Sequence, residues 1–300
     1  MDKNKNNMKR CKAFLLLCLC ACCLYAQDRK PYYKAQDSVR VESLLREASH
    51  LPQGTNRVLF FARRFMGVHY VAHTIEVCDP ERLVINLDEL DCTTYVDVVT
   101  ALVLASRSGK TRFADFCDFL QRQRYRGGVV NDYTSRNHYF SSWIMFGQEN
   151  GLVREITGRD CRGYSPFKAV QRIKANYMTK NPGQYKALAA HPEFLKGIRT
   201  QEDEISGMEV QYIPNSELGL PRKKLSCIQN GDILAMVTSK EGLEISHLGF
   251  AVWHRDGSLH LLNASSLHKK VISDPLSLQK YMQRQPRNLG IRVIRILGDN

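Results

Sequence analysis

The feature that most constrains this 300-residue chain is a long apolar run that starts at Cys92 and reads CTTYVDVVTALVLASRS. The pattern predicts a helix from Cys92 to about Ser108, where Gly109 provides a natural C-terminal stop. A helix this apolar is expected to lie buried in the protein core.

Cys92 lies at the first turn of this helix, directly behind the charged, turn-like segment NLDELD. There the helix dipole and free backbone N–H groups favour the thiolate, which is the nucleophilic form of cysteine. The alternative is a small buried hydrophobic residue, the commonest environment of a free cysteine. Asp91 suits a helix N-cap better than a ligand contact. The position indicates a cysteine hydrolase with Cys92 as candidate nucleophile.

Helical patterns come first along the chain and β-rich runs come second. Predicted helices cover residues 37–49, 56–66, 113–122, 141–148 and 279–284, and a polar, basic insertion covers about 165–205. From Met208 onward the predicted strands are EVQYIP, GDILAMVTS, ISHLGFAVW, SLHLLNAS, KKVI and GIRVIRIL. This order predicts an α+β fold in which N-terminal helices pack on a small antiparallel β-sheet or barrel.

A nucleophilic cysteine needs a base, and His247 is the best candidate among the nine histidines. It begins the predicted strand ISHLGFAVW, and Asn263 lies near the end of the next strand. In a hairpin that turns at Asp256-Gly257, the two side chains lie on paired strands at the same end. Asn263 is therefore predicted to orient the imidazole, although a lone histidine in a sheet is more often structural.

A polar-aromatic group formed by Arg136, His138, Tyr139 and Trp143 is typical of a carbohydrate or peptide cleft. The alternative is a turn followed by an ordinary helix with Trp143 in the core. Ser246, next to the candidate base, is a further candidate substrate contact, with a strand-edge serine as the alternative. No cofactor and no metal site is predicted, because the chain after residue 26 has no CxxC pair.

The first 26 residues read as a secretory signal peptide, with a basic start, an apolar stretch and Ala26 before Gln27. An alternative is a lipoprotein signal with Cys22 as the acylated residue, and only such an anchor would attach the protein to a membrane. We therefore expect an exported, periplasmic protein whose mature part, residues 27–300, is one domain and a monomer.

Removal of the signal lowers the formal charge from +13 to about +9, which leaves a basic protein. No aromatic-interleaved Lys/Arg stripe favours nucleic acid, so an anionic cell-wall polymer or peptide is the expected partner. Five cysteines remain, Cys78, Cys92, Cys117, Cys161 and Cys227. Because the number is odd, at least one thiol is free or paired outside the chain, and the pairing of the others stays open.

Three blocks, LDCTTYVD, ISHLGFAV and LLNASS, resemble in order and spacing the NlpC superfamily of papain-like cell-wall cysteine peptidases. The likeness extends from about Val58 to Leu297 and is strongest to the N-acetylmuramoyl-L-alanine amidase-like family. It implies a papain-like NlpC-type fold in which Cys92 is the nucleophile, His247 the general base and Asn263 the third polar residue. It also implies that Tyr70 lies close to Cys92 and helps to bind the oxyanion or the substrate.

The resemblance implies hydrolysis of the amide between N-acetylmuramoyl, in its anhydro form, and L-Ala in peptidoglycan fragments. One alternative is an endopeptidase that cuts after γ-D-glutamyl in the stem peptide. A second is a cell-wall-binding protein without catalysis.

Overall fold

The structure is a computed structural model that describes residues 30–298. The predicted signal peptide and Cys22 lie outside the described residues. Within them, no helix is long and apolar enough to cross a membrane. Nine α-helices are present in the described part: α1 Ala35–Ser49, α2 Arg57–Arg63, α3 Cys92–Arg107, α4 Phe113–Arg124, α5 Phe140–Glu149, α6 Tyr177–Lys180, α7 Lys186–Ala190, α8 Leu195–Ile205 and α9 Leu278–Gln283.

Ten described strands form one open, mixed sheet: β1 His69–Tyr70, β2 Glu89–Leu90, β3 Val153–Ile156, β4 Ala169–Arg172, β5 Glu209–Pro214, β6 Ile233–Thr238, β7 Ile245–Trp253, β8 Leu259–Ser265, β9 Lys270–Ser277 and β10 Asn288–Ile296. Their order is β2-β1-β9-β8-β7-β6-β10-β5-β4, and β3 also pairs with β10. All pairings are antiparallel except β1 with β2. The α+β class is confirmed, but the prediction of a small antiparallel sheet or barrel is wrong, because short distant strands extend the sheet and leave it open.

The centre of the sheet is buried on both faces. In β6, Ile233, Ala235 and Val237 face the helices α1 to α5, whereas Leu234 and Met236 face a second apolar layer that contains α9. The central strands therefore have continuous apolar sequences rather than sequences in which apolar and polar residues alternate. Residues around the insertion form a third cluster, which includes Ile173, Ile198 and Ile205.

Helix α3 lies in the middle of the first layer and packs against β7 and β8. Its last residue is Arg107, and Gly109 follows with a φ of 66°, in the left-handed region that glycine tolerates best. This end agrees with the prediction. The other end of the helix places Cys92 beside the start of β7, which carries His247.

Gly290 of β10 allows β5 to approach, since a Cβ there would overlap the carbonyl oxygen of Ile213. We expect Gly290→Ala to lower the free energy of unfolding by about 1–3 kcal/mol, because the overlap involves backbone atoms that cannot rotate away. Gly183→Ala is the matched control, since nothing lies within 4 Å of its Cβ position. Urea denaturation measures both. Equal effects of the two substitutions would contradict this explanation.

Candidate active site

Cys92 is the first residue of α3, and Asp91 is its N-cap. The Thr94 amide donates to Asp91 Oδ1 at 2.8 Å, and the Asp91 amide donates to Thr94 Oγ1 at 2.9 Å. This reciprocal capping box satisfies backbone donors of the first turn. The interpretation of Asp91 as a cap is confirmed. The cap fixes the backbone of the first helical turn, where Cys92 lies.

The Cys92 thiol is protonated at neutral pH, contrary to the expectation that the helix start favours a thiolate. Burial, followed by the negative charge of Asp91, raises the pKa of the Cys92 thiol to about 12. The Leu248 amide and the amide and hydroxyl of Thr93 donate to Sγ and oppose this rise. Because the Asp91 carboxylate already compensates the helix dipole, the remaining donors are too weak to ionise the sulfur. A nucleophilic role for this thiol would therefore require a base.

His247 has the form that a base requires. Its Nε2 lies 2.9 Å from Asn263 Oδ1, across the β7–β8 hairpin, as the sequence predicts. Because an amide oxygen only accepts, Nε2 carries the proton and Nδ1 presents a lone pair. Burial lowers the pKa of His247 from its ordinary value of 6.5, and the Asn263 bond opposes that change. The imidazole is neutral at pH 7 and able to accept a proton.

Cys92 and His247 line the same cavity, between the start of α3, the start of α5 and β7. The amide that donates to Cys92 Sγ belongs to Leu248, the residue that follows His247. On the other side, the Tyr281 ring of α9 stacks on the imidazole with 6.4 Å between ring centroids. The thiol and the imidazole therefore line one cavity, and each has a contact that fixes its position.

Tyr70 lies beside Cys92, where the family resemblance implies it. Parallel pairing of β1 with β2 sets Tyr70 opposite Leu90, two residues before Cys92. Burial raises the pKa of the Tyr70 phenol to about 12, and interactions with Cys92 and Asp91 act in the same direction. The phenol is therefore a neutral O–H donor at neutral pH. It can stabilise negative charge that develops near the sulfur.

Of the other predicted contact residues, His138, Tyr139, Trp143 and Ser246 line the cavity. Arg136 does not line it, so the structure does not bring it together with the others. Its guanidinium is buried and pairs with Glu81 through Nε–Oε1 at 2.7 Å and Nη2–Oε2 at 2.8 Å. This buried bidentate ion pair holds the loop before α5 in place. The guanidinium N–H groups that it uses are not available to bind a substrate.

The cavity wall formed by α5 is tied to α3. Trp143 Nε1 donates to Asp97 Oδ1 at 2.9 Å, and Arg124 Nε donates to Asp97 Oδ2 at 2.8 Å. The Trp143 ring also stacks on Phe140, with 4.7 Å between ring centroids. Trp143 thus packs in the core and also forms part of the cavity wall. A core position and a place in the cleft are therefore compatible for this residue.

The insertion supports the same wall from the other side. The Tyr139 hydroxyl donates to Glu202 Oε1 at 2.7 Å and accepts from the Met178 amide at 3.1 Å. Nε2 of His138 lies 2.7 Å from the Tyr133 carbonyl. Burial and the charge of Arg136 lower the pKa of His138 to about 3, so this ring is neutral.

Glu244 is a cavity residue that the sequence interpretation missed. Its carboxylate accepts from the Ser141 amide, the second residue of α5, at 3.1 Å. Burial raises the pKa of the Glu244 carboxyl. The only sequence signal is its position three residues before His247. Within the described residues, no group of three or more His, Cys, Asp and Glu could hold a metal ion.

Residues 60–291 match the AmiA-like family, described as N-acetylmuramoyl-L-alanine amidase-like. The chain belongs to this family. A comparison with curated proteins found no match.

Solved structures agree with the family. An N-acetylmuramoyl-L-alanine amidase from Bacteroides uniformis ATCC 8492 is 38% identical with a TM-score of 0.74, over 82% of this chain and 100% of that chain. A Bacteroides fragilis protein described as a candidate xylanase is 37% identical with a TM-score of 0.70, over 78% and 98% of the two chains. A Legionella pneumophila protein at 23% identity shares the fold, with a TM-score of 0.68 over 87% of this chain and 95% of that chain. The family match and the Bacteroides uniformis amidase structures support a cell-wall amidase-like function.

The state of the thiol predicts how Cys92 reacts with iodoacetamide. Since the pKa of the thiol is raised to about 12, the alkylation rate should rise roughly tenfold per pH unit between pH 7 and 10. Mass spectrometry of the Cys92 peptide at timed intervals measures the rate, and Cys92→Ser identifies the signal. A rate that is fast and constant from pH 5 to 8 would indicate a thiolate–imidazolium pair and contradict this interpretation.

Proposed function

We propose that this protein is an exported cysteine amidase that hydrolyses the bond between N-acetylmuramoyl, in its anhydro form, and L-Ala in peptidoglycan fragments. The observation that carries the proposal is the cavity shared by a neutral Cys92 thiol and a His247 imidazole oriented by Asn263. Membership of the amidase-like family supports the choice of bond. The order Cys, His, Asn along the chain supports a papain-like NlpC-type site.

In the proposed first step, Cys92 Sγ bonds to the amide carbonyl carbon while its proton passes to Nδ1 of His247. The oxyanion is stabilised by the Tyr70 hydroxyl and by the Cys92 amide, which lies in the first turn of α3 where no helical carbonyl can accept it. His247 then returns the proton to the departing nitrogen of L-Ala, which breaks the C–N bond. In the second step His247 takes a proton from water while the water oxygen bonds to the acyl carbon. The C–S bond then breaks, the acid is released, and the proton on His247 returns to Cys92 Sγ.

A xylanase activity, as described for the Bacteroides fragilis relative, has less support. Most glycoside hydrolases need two carboxyl groups on opposite sides of the cleft. In the described part of the chain, Glu244 is the one carboxylic acid that lines the cavity, and it already binds the start of α5.

The scissile bond is tested with a muropeptide that carries the anhydro sugar and a complete stem peptide. We expect the wild-type protein to release the sugar and an intact peptide with a free L-Ala amine, detected by mass spectrometry. Cys92→Ala should lower the rate at least about 10³-fold, since it removes the nucleophile. Cys78→Ala, a half-buried thiol outside the cavity, is the control and should keep full activity.

Other products would separate the alternatives. Cleavage after γ-D-glutamyl would indicate the endopeptidase. Binding without turnover, equal in wild type and Cys92→Ala, would indicate a cell-wall-binding protein. Chelator-sensitive activity that survives Cys92→Ala would overturn the cysteine mechanism.

Asn263 should act on the rate through the tautomer of His247. We expect Asn263→Ala to lower kcat/KM about 10–100-fold, because the ring loses the acceptor that keeps the proton on Nε2. The Asn263 bond raises the pKa of His247. The acid limb of kcat/KM, which lies below pH 6.5 because burial lowers this pKa, should therefore move to lower pH in the variant. Asn150→Ala, at an exposed position, is the control. An unshifted limb would refute the orienting role.

A further inference from the structure

Two of the five thiols in the described chain, Cys161 and Cys227, lie in one apolar cluster and interact with each other, and neither lines the Cys92 cavity. The Cys161 thiol donates to the Thr157 carbonyl at 3.7 Å. Cys227 is buried in the apolar layer that contains α9, and Cys161 packs against the same layer. Contact between two sulfurs is the first requirement for a disulfide.

Strand pairing with β10 brings together the two segments that carry the thiols. β3 ends at Ile156 opposite Val293, and β6 begins at Ile233 opposite Ile294, so both segments meet at neighbouring residues of β10. Arg295 Nη2 donates to the Cys227 carbonyl at 2.9 Å. The sheet therefore holds the two cysteine-bearing segments together before any bond forms.

The residues between the two cysteines, 162–226, contain β4, the helices α6 to α8 and β5. This segment supports the wall of the cavity. Glu202 binds the Tyr139 hydroxyl at 2.7 Å, and Gln171 Nε2 donates to the Glu244 carbonyl at 3.2 Å. A bond between Cys161 and Cys227 would close this segment into a loop at its two ends.

We propose that Cys161 and Cys227 are a disulfide-forming pair, a modification site that closes residues 162–226 and stabilises the support of the cavity. The oxidant is a disulfide, either a small molecule such as oxidised glutathione or a protein disulfide. Cys161 attacks it as a thiolate, forms a mixed disulfide and releases one thiol. Cys227 then loses its proton and attacks the Cys161 sulfur, which releases the second thiol. Two protein thiols and one disulfide thus give one protein disulfide and two thiols.

The environment indicates which sulfur reacts first. Burial, followed by the contact with Cys161, raises the pKa of the Cys227 thiol to about 12. Cys161 is only half-buried. A more accessible sulfur meets the external disulfide more readily, and the buried one completes the bond from within the protein.

The test uses the full chain treated with oxidised glutathione at a series of glutathione ratios, then digested with trypsin without reduction. We expect the peptide Asp160–Arg162 to be joined to Leu225–Lys240, and to be freed by a reductant. The oxidised protein should melt about 5–15 °C higher than the reduced protein, because closure of a long loop restricts the unfolded chain. Amidase activity is not needed for this readout.

Cys161→Ser should abolish both the joined peptide and the redox-dependent change in Tm, and Cys78→Ser, the matched control, should keep both. The proposal is overturned if Cys161 and Cys227 of the wild-type protein stay open to alkylation after oxidation, or if Cys161 is joined to another cysteine. A joined peptide with an unchanged Tm would overturn the stabilising role. The wild-type peptide map decides the pairing even if Cys161→Ser does not fold.

Discussion

Burial of helix α3 against the sheet is the constraint on which the rest of the structure depends. Every residue from Thr94 to Ala105 is buried, so the helix has to be enclosed by β7, β8 and the surrounding helices. An enclosed helix cannot leave a carboxylate unpaired, because a lone buried charge is costly. Asp97 therefore binds Arg124 and Trp143. The same pairing that satisfies the core also fixes one wall of the cavity.

The electrostatics of the site follow from this burial. A helix start lowers the pKa of a cysteine when its amide groups are free and the sulfur is solvated. Here Asp91 caps the helix and the sulfur is withdrawn from water, so desolvation outweighs the dipole. The pKa of His247 changes in the opposite direction. Burial lowers it, because burial favours the neutral imidazole. Both changes leave the thiol and the imidazole neutral at pH 7.

Local sequence patterns were enough to predict the helices and strands that have a strong hydrophobic period or clear end signals. The predicted strands EVQYIP and ISHLGFAVW coincide with β5 and β7, and α3 ends within one residue of the prediction. The His247–Asn263 contact followed from a hairpin register, which is a short-range property. The short strands β2, β3 and β4 gave no such pattern, because two to four residues cannot show a period. The partners of Arg136 and Glu244 are distant in the chain, so nothing local could reveal them.

The sequence by itself determined the α+β class, the position of Cys92 at a helix start and the pairing of His247 with Asn263. These depend on hydrophobic period, capping and turn residues, which act over a few positions. Only the tertiary structure decided the size of the open sheet, the protonation of Cys92, the removal of Arg136 from the cavity and the contact between Cys161 and Cys227. Burial and long-range pairing set those properties, and both depend on which distant segments the core brings together.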